Sequence, residues 1–377
     1  MASSIGTVGL NALFLGPGQS GGPETYLRGL VPALASEFPD TRFVVATTRA
    51  GAGALRRDGW ADFAEIQELP IDEGQRARRL IVEQAWLPWR ARRRGFDVLH
   101  SLASVAPVWT PRTPSVITLH DVTFLRVQTF SRATTLAFRL TVAPAAKRAD
   151  ALLTGSAAAR DEICSLLGLD PAGFQVVPHG PGRPPDEAAD EEHVRMEHSL
   201  GGRRLVLCVG AKRPHKNQEL LVRAVPSLPE DAVVALVGHP ETYDAELRSL
   251  AAELGVTERV RFIDFVPDAE LEALWRLAAC VAFPTLGEGF GLPVLEAMTR
   301  GVPVACSDIP VLREVGGDVP FYFDPRDPKS AASAIAAAME GGDRVQAGRE
   351  RAAGFSWEKA ALGTFDAYER AVARARS

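Results

Sequence analysis

The 377-residue sequence has no uncharged apolar stretch of about 18 residues, the length that a membrane-spanning helix needs. Its first residues, Met1 to Ser4, include no basic segment, so we expect no secretory signal. It has only four cysteines, and no two of them have the spacing of metal ligands (Cys164, Cys208, Cys280 and Cys306). A reducing, cytoplasmic environment is therefore expected, with at most peripheral contact to the inner face of a membrane.

Cationic excess and several ligand-binding motifs are also missing. The net charge of −5 gives no global basic field for nucleic acid. Neither glycine-rich loop has the Gly-x-Gly-x-x-Gly spacing of a dinucleotide site or the Gly-Lys-Ser/Thr of a P-loop, which argues against a nicotinamide dehydrogenase. No Asp-x-Asp sequence is present, so we predict no metal and no resident cofactor.

What is present is an alternation of apolar runs and helical patterns along the whole chain. A length of 377 residues, with 46% hydrophobic and 24% charged residues, indicates a globular protein of two domains. The polar, acidic and proline-containing segment 183–202 is the best boundary, because the strand–helix alternation restarts after it. We predict two Rossmann-like, doubly wound α/β domains, residues 1–182 and 183–357.

The most informative stretch begins at Val281. A buried strand ends at Phe283, a glycine-rich turn follows, and Pro293 to Arg300 is predicted as a short helix with Gly301 just past its end. The first amides of such a helix lack partners within the helix and attract anions. Two carboxylates, Glu288 and Glu296, would repel a bare phosphate but accept hydrogen bonds from hydroxyls. The combination predicts a sugar nucleotide, with its diphosphate on the backbone amides.

The string from Glu288 to Glu296 is similar to the Glu-x7-Glu signature of the retaining glycosyltransferases of family 4, which have the GT-B fold. In that family the first glutamate holds hydroxyls of the donor sugar, the following amides meet sugar and phosphate, and the last glutamate holds the ribose. The resemblance implies the first role for Glu288 and the last for Glu296. It implies contacts to sugar and phosphate for the residues between them (Gly289, Phe290, Gly291 and Leu292).

A second loop resembles the diphosphate-binding loop of the same family. It follows strand 204–209 and contains Gly210, Lys216 and Asn217 at matching positions. The resemblance implies that Lys216 grips the phosphates, and an ammonium there would neutralise the leaving diphosphate. The arginine that many members have after the glycine is absent, because Ala211 stands there. Lys212 or Arg213 is the expected source of the second charge.

The nucleobase is expected at the end of strand 260–265. In the family this strand end meets the base through backbone groups, which implies contacts at Phe265 and Val266. Asp264 stands where a glycine is usual, so the identity of the base stays open.

The first half offers two further candidates. Gly21 and Gly22 lie in a strand–loop–helix unit whose family equivalent approaches the donor phosphate and the acceptor. His120 closes strand 115–120, and parallel sheets bind ligands at this end of their strands. The string His120-Asp121-Val122-Thr123-Phe124-Leu125 resembles the family segment whose histidine lies beside the donor sugar. His100 has a similar strand-end position with less support.

The segment Arg76 to Arg94 is basic and contains Trp86 and Trp89. One interpretation is a face for a membrane surface or acidic lipid. The favoured interpretation is a solvated helix face with both tryptophans packed inward and the helix interrupted at Pro88.

The resemblance covers nearly the whole chain and implies the GT-B architecture, with the two domains facing a central cleft and helix 358–377 packed back on the first. It implies transfer of a hexosyl group, with retention, from GDP-mannose or a UDP-sugar to a glycan, lipid-carrier or small-molecule hydroxyl. His120, Lys216 and Glu288 are the expected catalytic residues. Two alternatives stay open, a sugar-nucleotide 2-epimerase and a non-catalytic sugar-nucleotide-binding activator. Which acceptor is used within these classes, and the oligomeric state of the protein, stay open.

Overall fold

The computed structural model describes residues 5–18, 20–71, 75–122, 132–182, 184 and 187–376. Contacts divide the chain into two compact units, Met1–Gly180 with Ser356–Ser377, and Pro181–Phe355. The sequence prediction placed this division after residue 182. None of the helices in the described ranges is long and apolar enough to cross a membrane.

The first unit contains a parallel seven-stranded sheet. Its strands are β1 (Thr7–Ala12), β2 (Arg42–Thr48), β3 (Glu65–Leu69), β4 (Val98–Ser101), β5 (Ser115–Thr118), β6 (Ala151–Thr154) and β7 (Phe174–Val176). Their order is β3-β2-β1-β4-β5-β6-β7. Helices connect them: α1 (Gly22–Glu37), α2 (Arg49–Arg57), α3 (Arg76–Ile81), α4 (Leu87–Arg93), α5 (Arg132–Arg148) and α6 (Ala157–Leu167). The central strands are almost entirely buried, because parallel sheets are covered on both faces, whereas the edge strands β3 and β7 are mostly only partly buried.

The second unit repeats this architecture with six parallel strands. They are β8 (Arg204–Val209), β9 (Ala232–Val237), β10 (Val260–Ile263), β11 (Ala278–Phe283), β12 (Val304–Ser307) and β13 (Phe321–Phe323), in the order β10-β9-β8-β11-β12-β13. Its helices are α7 (Glu191–Glu197), α8 (Gln218–Ala224), α9 (Thr242–Glu253), α10 (Asp268–Leu277), α11 (Leu292–Arg300), α12 (Pro310–Gly316), α13 (Pro328–Glu340) and α14 (Arg344–Ala352). The order reverses between β8 and β11, which is where doubly wound sheets bind ligands.

The last helix, α15 (Trp357–Arg376), belongs to the first unit. Its apolar face enters the same core as β1 and α1, with Phe365 and Tyr368 buried there. The ring of Phe365 stacks on Phe38 of the helix α1 end. The fold of this unit therefore depends on residues from both ends of the chain.

The basic segment differs from its prediction. A five-residue π turn, Val82–Trp86, joins α3 to α4, so the chain stays helical through Pro88. Trp86 is partly buried against the core, as expected. The inward packing predicted for Trp89 is wrong, because half of that residue is exposed (50%).

Candidate active site

The turn after β11 is shaped by a glycine. Gly291 has φ +100°, a left-handed conformation that side chains rarely adopt, and a Cβ there would lie 2.5 Å from Leu312 Cδ2. Helix α11 begins directly after it, so Pro293 is its second residue rather than the predicted first. Gly301, also left-handed, ends the helix as predicted. The turn thus points a helix N-terminus at the carboxyl end of the sheet, where it favours an anion.

Backbone and side-chain hydrogen bonds fasten this turn to the loop after β8. The amide of Leu286 and the hydroxyl of Thr285 both donate to the carbonyl of His215, at 2.8 and 3.1 Å. Asn217 donates from its side-chain amide to the carbonyls of Pro284 and Pro325, at 3.0 and 2.9 Å. These contacts use both amide hydrogens of Asn217. Its side chain therefore holds the two loops together here, rather than offering a donor to phosphate as the resemblance implied.

Lys216 and Glu288 meet between these loops. The Lys216 ammonium donates to Glu288 Oε1 at 2.5 Å, and the two side chains are 22% and 14% exposed. The same ammonium lies 5.5 Å from the ring centroid of Phe283, the last residue of β11. Two predicted catalytic residues, 72 positions apart in sequence, therefore form one partly buried ion pair.

Glu296 lies on α11, about one turn from its start. Burial raises the pKa of its carboxyl, while Arg300 and the backbone N–H of Gly182 act in the opposite direction. The Arg300 guanidinium donates instead to Glu272, at 2.8 Å. Arg300 therefore contacts Glu272 directly and also favours the ionised form of Glu296, in which both carboxylate oxygens accept hydrogen bonds.

The structure corrects the prediction for Lys212. Its side chain is fully buried, and its ammonium donates to the carbonyls of Gly238 and Ile263 at 2.7 and 2.9 Å. Asp244 and Asp264 lie 3.5 and 3.7 Å from it. Burial lowers the pKa of Lys212, and these two carboxylates oppose the shift. Lys212 therefore ties strand ends together and is not presented to a phosphate.

Arg213 is the more accessible of the two candidate cations. Its guanidinium pairs with Glu241 at 2.6 Å, and both side chains are about one-third exposed, at 32% and 37%. Gly210, at the end of β8, has φ +150°, and its carbonyl lies against Gly238, where a Cβ would come within 2.4 Å. A side chain at Gly238 would therefore push the two strand ends apart.

The expected nucleobase region ends in an exposed aromatic ring. Strand β10 stops at Ile263, two residues earlier than predicted, so Phe265 lies in the loop beyond it and is 53% exposed. Its ring stacks on His239, with centroids 5.0 Å apart and planes 12° from parallel. Val266, the next residue, is buried.

In the first unit, His120 lies among aromatic rings. Its Nε2 is 2.9 Å from the carbonyl of Leu102, which makes this nitrogen the donor. Its ring centroid lies 4.9 Å from that of Tyr26 and 5.6 Å from that of His179, and both pairs are edge-on. Burial lowers the pKa of His120, although Leu102 and Asp121 oppose the shift. The ring is held neutral, with Nδ1 as its acceptor.

The other first-unit predictions have mixed outcomes. Gly21 caps α1 with φ +55°, and Gly22 is the first residue of that helix, so both lie at a helix N-terminus. His100 is fully buried between Tyr368 and Thr118, with 2.8 Å to each hydroxyl, which is a structural position. Residues 123–125 of the His120 string lie outside the described residues.

Sequence reasoning missed the residues that support His120. His179 stacks on Trp357 and contacts Tyr26, with centroids 5.9 and 4.7 Å apart. The one available signal was the position of His179 after the last strand pattern of the first half. Trp357 is remote in sequence and gave no signal.

One carboxylate and imidazole group among the described residues has metal-ligand spacing. Ligand atoms of Glu197, His198 and Glu270 lie within 4.8 Å of one another. His198 Nε2 already pairs with Glu270 at 2.6 Å. None of the three was predicted to bind the donor.

Two family models match the chain: Glycosyltransferase Family 4 over residues 20–180, and Glycosyl transferases group 1 over residues 190–354. The chain belongs to family 4 of the glycosyltransferases. The predicted family is thereby confirmed, and its two characteristic regions coincide with the two sheets of this chain.

Curated relatives share about a third of the matched residues. The O-antigen chain mannosyltransferase B of Escherichia coli is 33% identical over 185 residues, 47% of this chain and 48% of that protein. The D-inositol 3-phosphate glycosyltransferase of Nocardia farcinica is 34% identical over 244 residues, 59% of this chain and 53% of that protein. The chain spans about half the length of the curated relatives it matches.

Solved structures show that this family 4 protein has the GT-B fold. Sucrose-phosphate synthase from Thermosynechococcus elongatus aligns with a TM-score of 0.76 at 20% identity, covering 96% of this chain and 98% of that one. HepE of Anabaena, in complex with UDP and glucose, aligns with a TM-score of 0.68 at 21% identity, covering 99% and 97%. The predicted fold class of Rossmann-like α/β domains is confirmed.

Proposed function

We propose that this protein is a retaining hexosyltransferase that uses a nucleotide-diphosphate sugar. The bond between the anomeric carbon and the diphosphate oxygen breaks, and a bond from the acceptor oxygen forms on the same face. The acceptor proton passes to an oxygen of the leaving diphosphate, so no protein base is required. The acceptor is a hydroxyl of a glycan, a lipid carrier or a small natural product.

The observation that carries this proposal is the Lys216–Glu288 ion pair beside the N-terminus of α11. A bound nucleotide-diphosphate sugar gives both Lys216 and Glu288 new hydrogen-bond partners. Its phosphate oxygens accept from the Lys216 ammonium and from the first amides of the helix, which stabilise the leaving group. Its sugar hydroxyls donate to the Glu288 carboxylate, at a position that the Lys216 contact already fixes.

The remaining predicted residues take supporting roles toward the donor. Glu296 accepts from the ribose hydroxyls, and Arg213 supplies a second positive charge near the phosphates. The base lies against Phe265 and the backbone of Val266. In the first unit His120 accepts from a sugar hydroxyl through Nδ1, because its Nε2 donates to Leu102. Gly21 and Gly22 approach the donor phosphate through the N-terminus of α1.

The donor is GDP-mannose or a UDP-sugar. Similarity to a mannosyltransferase supports the first, and the fold shared with a protein bound to UDP and glucose supports the second. Thermal stabilisation by GDP, UDP, ADP and TDP, each with and without magnesium, distinguishes them, since a ligand of the folded state raises Tm with its affinity. We expect one base to be selected without a metal requirement.

Matched variants test the residue roles. E288Q should lower kcat/KM about tenfold to a hundredfold, since a hydrogen bond to a charged group contributes about 1.5–3 kcal/mol. It should leave affinity for the bare nucleoside diphosphate nearly unchanged, because that ligand has no hexose. E296Q should weaken the bare nucleoside diphosphate as well. Full activity in both variants would refute the assignment.

Glu296→Gln also has an expected effect on stability. Because the folded-state pKa of Glu296 is raised, its protonated form stabilises the fold, and that contribution is lost as pH rises through this pKa. At neutral pH the neutral glutamine should therefore raise Tm while nucleotide affinity falls. A Glu296→Gln variant in which both the Tm and the nucleotide affinity fall would indicate a packing defect instead.

The two alternatives predict different products. A 2-epimerase converts the donor sugar without any acceptor, and a binding subunit binds the nucleotide without turnover. Donor consumption that depends on an added acceptor excludes both. Acceptor-independent formation of a new sugar nucleotide would favour the epimerase.

A further inference from the structure

The helical segment from α3 to α4 exposes an apolar stripe. Along its length, the exposed residues are spaced by three or four positions, which places them on one face of a helix (Arg78, Ile81, Ala85, Trp89 and Arg92). Ile81 is 67% exposed and Trp89 is 50% exposed. The π turn carries this face past Pro88 without a break.

The opposite face of the same segment is an ordinary core contact. Leu87 and Ala91 are buried in one core cluster with residues of β2, β3 and β4, and Val82 and Trp86 pack against that cluster. The segment therefore satisfies the core without Ile81 and Trp89. These two large side chains are exposed even though the segment buries Leu87 and Ala91 and partly buries Val82 and Trp86.

A third exposed side chain is held beside this segment. The side-chain amide of Gln84 donates to the carbonyl of Ala106 at 2.8 Å and accepts from the amide of Val108 at 2.9 Å. Trp109, the next residue, is 72% exposed. Its position next to the anchored loop places another amphipathic ring near the stripe.

Arginine surrounds the apolar centre of the stripe. The segment from 76 to 94 contains seven arginines in a chain of net charge −5. Arg78 lies at one end of the stripe, and the exposed Arg92 and Arg93 lie at the other. The Arg93 guanidinium lies 5.4 Å from the ring centroid of Trp89. Its charge is thus placed at the level of an aromatic ring, as at a lipid headgroup boundary.

We propose that this face docks on a bilayer surface that contains anionic phospholipid. The helix lies parallel to the surface, Ile81 and Trp89 enter the headgroup boundary, and the flanking arginines contact lipid phosphates. Apolar residues at the centre and cations at both ends suit a lipid surface, because a lipid offers hydrocarbon below a layer of negative charge. The favoured alternative, a solvated face, required Trp89 to pack inward, and half of that residue is exposed.

The test is sedimentation of the full chain with sucrose-loaded vesicles. Phosphatidylcholine vesicles are compared with an equal mixture of phosphatidylcholine and phosphatidylglycerol, at low and high salt. We expect binding to the mixed vesicles at low salt, weaker binding at high salt, and little binding to phosphatidylcholine alone.

Two double variants separate the contributions. R92Q/R93Q should reduce partitioning roughly twenty-five-fold, since each cation near an anionic surface contributes roughly fivefold. I81S/W89S should reduce it about tenfold or more, through the lost apolar insertion. Matched controls at exposed positions elsewhere in the first unit, L166S and R57Q, should bind like the unchanged protein.

Three outcomes would overturn the proposal. The first is absence of binding to the mixed vesicles at low salt. The second is equal loss in the control variants. The third is binding of soluble polyglutamate that matches vesicle binding and survives I81S/W89S, which would indicate an acidic protein partner. Because Tm of each variant is measured alongside, loss of folding is distinguished from loss of docking.

Discussion

The burial of Lys212 could not be predicted from its neighbours in the sequence. It lies in a polar loop beside a predicted phosphate site, where a lysine ordinarily projects into solvent. Its burial follows from strand ends that are remote in sequence, since the carbonyls of Gly238 and Ile263 converge on its ammonium. The local sequence contains neither carbonyl, so no reading of residues 210–217 could have found this position.

Lys212→Met should therefore affect folding before it affects binding. Removal of the ammonium leaves the carbonyls of Gly238 and Ile263 without this donor, while Asp244 keeps its contact with Arg248. Leaving a buried polar group unsatisfied costs about 1–3 kcal/mol. Chemical denaturation should show this loss. Arg213→Gln is the matched control, and it should keep stability and weaken nucleoside diphosphate binding. A Lys212→Met protein with unchanged stability and lost nucleotide affinity would instead make Lys212 the phosphate ligand.

At the scale of elements, apolar runs predicted the strands because parallel strands are buried on both faces. The turn and helix after β11 were also predicted, since Gly291, Pro293 and Gly301 carry strong local preferences. The π turn was missed because no residue type specifies it. The bridge from Asn217 to Pro284 and Pro325 was missed because it joins three loops that are distant in sequence.

The contact between α1 and α15 gives an element-scale prediction. A Cβ at Gly29 would lie 2.0 Å from Trp357 Cε2, and one at Gly180 would lie 2.7 Å from Trp357 Cδ1, so the indole fits between two glycines. Gly29→Ala should destabilise the protein by about 3 kcal/mol through overpacking. With Trp357→Ala in place the same change should instead stabilise α1 by about 1 kcal/mol, because alanine favours a helix.

Gly53→Ala is the control for this double-mutant cycle. Gly53 lies inside α2, and a Cβ there would meet only the end of Arg57, at an ordinary 3.5 Å. Gly53→Ala should therefore leave the free energy of unfolding unchanged or raise it slightly, as measured by thermal and chemical denaturation. If Gly29→Ala behaved in the same way in the unchanged background, the close contact with Trp357 would not exist.

For the whole molecule, the sequence alone predicted two Rossmann-like domains, because the strand–helix alternation restarts after a polar segment. The family resemblance added the return of the last helix to the first unit, which periodicity could not predict. Neither source predicted the cluster of buried rings beside His120 (Tyr26, His100, His179 and Tyr368), since its members come from positions 26 to 368. Long-range packing of polar rings has no local signature.

That cluster makes the first unit sensitive to acid. Burial lowers the pKa of His100 to about 3, and it also lowers the pKa of His120 and His179. When the pKa of a histidine is lower in the folded state than in the unfolded state, its full contribution to stability is present above the unfolded-state pKa, near about 6.5. That contribution is lost as the pH falls below about 6.5. His100 alone should cost about 2 kcal/mol between pH 6.5 and 5, because each pH unit corresponds to about 1.4 kcal/mol. The raised pKa of the buried Glu83 acts oppositely, but one carboxyl does not offset three imidazoles.

Denaturant unfolding from pH 7 to 5 should therefore show a steep fall in the free energy of unfolding, with a shallower slope in His100→Gln. A flat profile in the unchanged protein would mean that these histidines are protonated in the folded state.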